Sequence, residues 1–122
     1  MSIDSVTRRE SLQAALDLIE QGFTLFDSDL RMLAWNRPFL RLLGFPARMG
    51  FVGAPFESFI RCNAERGEYG PGDPQRQIAE RVDAARTFAP HEFERTCLDG
   101  KVLRVRGVPV PEHGFVTLYS DI

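Results

Sequence analysis

Cysteine is scarce. Cys62 and Cys97 are the only two, far apart and without metal spacing, so neither a disulfide framework nor a zinc site is expected. A reducing, cytoplasmic compartment is the matching expectation. Histidine is equally sparse: His91 and His113 have no carboxylate or cysteine at ligand spacing, so no metal is expected. Positive charge is not in excess, with 15 Lys and Arg against 17 Asp and Glu, which gives nucleic acid no electrostatic footprint. No apolar run approaches the ~18 residues of a membrane span, and the opening MSIDSVTRRESLQ has no apolar signal core, so no direct membrane contact is expected. The Gly-rich GEYGPGDP (67–74) lacks the lysine and serine of a phosphate-cradling loop and follows no strand. Asp27, Asp29, Asp73, Asp99 and Asp121 fall in turns or at strand ends, where turn chemistry accounts for them. With no convergent acid and base, no catalytic residue is assigned.

What is present is an ordinary globular composition, 43% hydrophobic with ten phenylalanines, in a chain long enough for one sizeable core. Thr7 and Glu10 have capping-box spacing, which predicts a helix running to Gln21 and ended by Gly22. Its stripe of Leu12, Ala15, Leu16 and Ile19, widened by Ala14 and Leu18, spans about 200°. Such width fits either deep packing within the domain or contact with a second copy, for which Ala14 and Leu18 are the interface candidates. Phe23 to Phe26 and Arg31 to Trp35 read as strands around an Asp27–Asp29 turn. Asn36 follows at once as an N-cap, with Pro38 just inside a short helix that Gly44 and Pro46 end. Phe56, Phe59, Ile60 and Asn63 share one face of the next helix. The Asn63 amide therefore points where an apolar neighbour is expected and must bond to loop backbone or to a ligand. Asp73 caps a further helix with the narrow stripe Ile78, Val82 and Ala85.

From His91 the period changes to two, giving strands near 91–97, 101–108 and 115–121. Charge chooses the first hairpin's register. A two-residue Asp99-Gly100 loop would set Arg95 opposite Arg104, whereas a three-residue loop of Leu98, Asp99 and left-handed Gly100 pairs Glu92 with Arg106, Glu94 with Arg104, Phe93 with Val105 and Arg95 with Leu103. Phe93, Leu103 and Val105 then face inward. PVPEHG (109–114) is expected as the next turn, since prolines do not sit in a central ladder. The order is α+β, with one antiparallel sheet and the helices in the middle of the chain.

LIEQGFTLFDSDLRMLAWN (18–36), LLGF (42–45), RCNAERGEYGPGDP (61–74) and FERTCLDGKVLRVRGVPVPEHGFVTLYSDI (93–122), in this order, resemble a PAS domain, in particular the bacterial modules attached to sensor histidine kinases and diguanylate cyclases. The resemblance covers essentially the whole chain. It implies a PAS fold: five antiparallel strands in spatial order 2-1-5-4-3, with an N-terminal helix (1–21) outside a core (22–122) and short helices over one face. It further implies a regulatory input role coupling ligand or partner binding to an attached C-terminal effector, through a homodimer. Candidate pocket-lining residues are Phe39, Leu43, Phe59, Asn63, Phe93, Leu103 and Val105. Asn36 ties strand end to helix start, and Asp121 of the terminal SDI marks the passage toward an output helix. No cofactor is expected. Cys62, in FIRCNAERG, lacks the surrounding residues of the light-sensing subgroup's GxNCRFLQ, and both histidines fall at a strand start or in a turn, positions unsuited to haem ligation. Two alternatives are a ligand-free interaction spacer and a small cavity enzyme of isomerase type. The latter requires an ionisable group inside the cup, where this reading places only apolar residues and Arg95.

Overall fold

The computed structural model describes residues 4–122. Period-two patterning at both ends of the chain builds one sheet from β1 (Gly22–Phe26), β2 (Met32–Trp35), β3 (His91–Thr96), β4 (Val102–Val110) and β5 (Gly114–Asp121). The strands lie in the order β2-β1-β5-β4-β3, with every pairing antiparallel. The first and last strands are neighbours, Gly22 opposite Tyr119 and Phe26 opposite Phe115. Outside the sheet are α1 (Ser5–Leu18), α2 (Arg37–Leu43), α3 (Phe56–Glu65) and α4 (Pro74–Ala85), with a 3-10 turn at Ala47–Met49.

The β3–β4 register is the one that charge selects: Glu92 faces Arg106, Glu94 faces Arg104, Phe93 faces Val105 and Arg95 faces Leu103. Gly100 is left-handed at φ 88°, and Cys97 N–H closes the three-residue loop onto the Lys101 carbonyl at 2.8 Å. The core lies where α2 and α3 cover β1, β5 and β4. There Phe39 meets Phe45, Phe59 and Tyr119 with ring centroids 5.3–5.6 Å apart, over fully buried Met32 and Leu103.

Asn36 sits at the joint of four segments and is fully buried. Its Oδ1 accepts from Phe39 N–H at 3.1 Å, capping α2, and from Phe23 N–H at 2.9 Å on β1. Its Nδ2 donates to the Leu16 carbonyl at 2.8 Å and the Gln21 carbonyl at 2.9 Å. Every donor and acceptor site of the amide is therefore used.

Three expectations are corrected. The first helix is capped by Asp4, which accepts from Thr7 N–H at 2.9 Å, and it ends at Leu18, because Ile19 is already extended at φ −74°, ψ 129°. None of its residues is buried, so deep packing is not how α1 uses its stripe: Leu12 is 59% exposed, Leu18 85% and Ile19 45%. The helix is held by polar bonds instead, among them Gln13 Nε2 to the Trp35 carbonyl at 2.8 Å. Finally, Pro109 is a strand residue, opposite Phe115. Pairing with β3 begins at His91–Gly107, so beyond Gly107 the strand has no neighbour on that side and a missing N–H costs nothing. The turn shrinks to 111–113 and closes through Gly114, at φ 134°, where a Cβ would run into the Phe26 carbonyl.

Candidate functional site: a cavity between the sheet and two helices

The inner face of β3–β5 does not close against α3 and α4, leaving an open cavity of about 750 Å³. Alternation decides what enters it: His91, Phe93 and Arg95 from β3, Val105 from β4, and Phe115, Thr117 and Tyr119 from β5. Phe56 and Ile60 of α3 and Phe88, just beyond α4, complete an apolar wall. Gly107 shapes the rim. A Cβ there would lie within 2.6 Å of the His91 and Phe115 rings, and its absence lets His91 stack on Phe115 at 5.4 Å and 23°.

One end of the cavity is polar. Arg95 Nη2 lies 3.3 Å from Glu68 Oε2, the two side chains being 19% and 11% exposed, and Glu68 is also 3.9 Å from Arg66 Nε. The Arg81 guanidinium stands 3.5 Å over the Tyr69 ring. Burial pushes the Tyr69 phenol above its ordinary range, against the opposing pull of its hydrogen bond from Asn63 and the charges of Arg95 and Arg81. Burial likewise pushes Tyr119 up to about 12. Thr24 Oγ1 and Arg95 Nε are buried without a partner among the described residues.

Of the residues singled out from sequence, Phe93 and Val105 line this cavity, Phe93 half exposed at its open side. Phe39, Leu43, Phe59 and Asn63 instead border a separate void of about 50 Å³, and Leu103, fully buried, borders neither. The opening lies nearer β3 and α4 than expected because α2 packs its phenylalanine directly onto β5 and α3. Asn63 donates to the Tyr69 hydroxyl at 3.2 Å and accepts from Arg66 Nη2 at 3.0 Å, so its amide fixes the start of the 67–73 loop and holds one cavity phenol in place. Arg61 pairs with Glu57 at 2.8 Å, and Arg66 donates to the Leu43 and Gly44 carbonyls. Cys62 packs against the core and borders neither void. Asp121 ends β5, exposed and opposite Leu103, while Ala14 and Leu18 lie exposed on α1.

The cup holds more ionisable groups than the sequence reading placed there: Glu68, Tyr69, Arg81 and Tyr119 join Arg95, with His91 at the rim. Inward parity on β3 marks Arg95 in the sequence. Arg81 lies beside the Ile78, Val82 and Ala85 stripe, but Glu68 meets Arg95 across 27 residues with no local signal. Among the described residues, no group of three or more His, Cys, Asp or Glu side chains could hold a metal ion, and no helix is long and apolar enough to cross a membrane.

An antiparallel 2-1-5-4-3 sheet roofed on one face by the chain's middle helices defines a PAS-type module, a class that is generally sensory and non-catalytic. The chain belongs to the PAS fold family, whose model matches residues 16–122. Among solved structures it is similar to the PAS domain of Bordetella pertussis BvgS, at 19% identity and a TM-score of 0.63, covering 95% of this chain and 87% of that one. It is also similar to a domain of a Geobacter sulfurreducens sensory box sensor histidine kinase/response regulator, at 13% identity and a TM-score of 0.53, covering 97% of each chain. The Rhodobacter sphaeroides LOV protein matches at 18% identity and a TM-score of 0.53, over 98% of this chain and 69% of that one. No curated protein matches the chain. At these identities the structural likeness speaks for the fold.

Proposed function

We propose that this PAS domain is a small-molecule input module of a bacterial signal-transduction protein of the histidine kinase or diguanylate cyclase type. Its open cavity of about 750 Å³ carries the reading, because that space lies beside an otherwise close-packed phenylalanine core and combines an apolar wall with a few converging polar groups. Occupancy would be passed to an attached effector through a homodimer, and the exposed Leu12 and Leu18 of α1 with Ile19 just beyond it support such pairing. A general base poised near neutrality is what an isomerase would need. Glu68 is instead engaged by Arg95 and Arg66, and the two phenols titrate above their ordinary range.

Native mass spectrometry of the purified domain, with an absorbance scan for haem or flavin, tests the reading. A stoichiometric colourless adduct, lost when Ala85→Trp fills the cavity, is the expected result. An empty protein whose stability is unchanged by cavity filling and by small-molecule screening would replace it with the second reading, a ligand-free interaction spacer, which the exposed α1 stripe also favours.

A further inference from the structure

Resting on the reading of the cavity as a ligand site, we infer that its occupant is an aromatic monoanion: a flat apolar body carrying one negative charge, seated with that charge at Arg81 and Arg95. The apolar end is built of rings, Phe56, Phe88, Phe93 and Phe115 with the stacked His91, a surface suited to a planar body by offset and edge contacts.

The charge balance at the other end gives the anion. Glu68, Arg81 and Arg95 face the opening there. Glu94, which also borders the cavity, belongs to the opposite face of β3 by alternation, where it pairs with Arg104 at 4.0 Å, 62% exposed. One inward carboxylate thus stands against two inward guanidinium groups. The carboxylate is committed to Arg95, and Arg81 has no carboxylate within 4.0 Å among the described residues, only the Tyr69 ring and the Gln77 carbonyl at 3.3 Å. Arg95 also borders the opening, its Nη2 3.3 Å from Glu68. A guanidinium there offers charge-assisted hydrogen bonds, which an anionic oxygen accepts most strongly. The Tyr119 phenol, which lines the same cavity, adds a neutral hydroxyl. A neutral ligand would leave Arg81 uncompensated, and a cation would be repelled.

The test uses two fluorescent probes of similar aromatic body, 8-anilino-1-naphthalenesulfonate, which is anionic, and N-phenyl-1-naphthylamine, which is neutral. Titrated into the intact domain, the anion should bind at a single site about tenfold more tightly than the neutral probe. Arg81→Gln should remove that preference while leaving the neutral probe within about twofold, and Ala85→Trp should abolish both signals. Glu68→Gln, which raises the local positive charge, should tighten the anion selectively and serves if Arg81→Gln misfolds. Equal affinities in the wild-type domain, or a preference unmoved by both charge variants, would overturn the monoanion while leaving a ligand cavity. Binding that survives Ala85→Trp would place the probes outside the cavity and overturn the assignment. Failure of both probes to bind would overturn the cavity reading together with it.

Discussion

Removing the side chain of Asn36 should cost far more than losing a helix cap. An N-cap replaced by alanine typically costs about 1 kcal/mol. Here Asn36→Ala would leave three groups without partners: the buried N–H of Phe39, and the part-buried N–H of Phe23 and carbonyl of Gln21. The Leu16 carbonyl keeps the Ile19 N–H at 3.2 Å. At about 1–3 kcal/mol for each orphaned group, less what local relaxation and water recover, the loss should be roughly 3–5 kcal/mol. Asn36→Asp separates the two accounts. Aspartate caps a helix as well as asparagine does, so a cap alone predicts no change. The joint predicts a loss of about 2–4 kcal/mol at neutral pH, because a carboxylate oxygen would face the Leu16 and Gln21 carbonyls in place of a donor. Urea denaturation followed through Trp35, the single tryptophan and the adjacent residue, measures both variants. A loss near 1 kcal/mol for the alanine variant with none for the aspartate variant would refute the four-way joint.

Gly107→Ala should destabilise by about 1–3 kcal/mol through overpacking, and the His91 ring protons should lose the shift imposed by Phe115 in nuclear magnetic resonance spectra; an unshifted His91 would contradict the rim described above. Leu18→Glu should weaken self-association in sedimentation velocity, and a wild-type monomer at high micromolar concentration would end the dimer proposal. Stability should fall in strong alkali. Tyr119 has its folded pKa raised from 10.0 to about 12, so its contribution is intact below pH 10 and disappears as pH climbs toward 12, where the folded phenol also ionises. Phenolate absorbance should accordingly lag behind that of the urea-unfolded chain, and Tyr119→Phe should flatten the alkaline slope; a phenolate signal appearing at the ordinary tyrosine pKa with the fold intact would contradict the burial.

What the sequence discloses is what neighbours along the chain decide. The β3–β4 register was legible because opposite and like charges meet within a short hairpin, and the Asn36 cap because Pro38 follows it. Pro109 misled because membership of a ladder depends on where the adjacent strand stops, which β4 itself does not encode. The stripe of α1 was ambiguous for the same reason: apolar spacing along a helix does not say whether the rest of the domain covers it, and here Leu12 and Leu18 stay exposed. The cavity was the least legible feature. Phe93 and Val105 follow from alternation, but Glu68, Tyr69 and Arg81 reach the site from the loop after α3 and from α4, whose distance from the sheet is set by the Phe39 and Phe59 packing.

Tyr119 and Ser120 are consecutive residues of β5 that project to opposite sides of the sheet. The first touches the cavity, and the second holds Gln21 Nε2 at 2.8 Å, at the base of the N-terminal helix. One step along the strand therefore separates a residue that lines the cavity from one that bonds the segment leading out of the N-terminal helix.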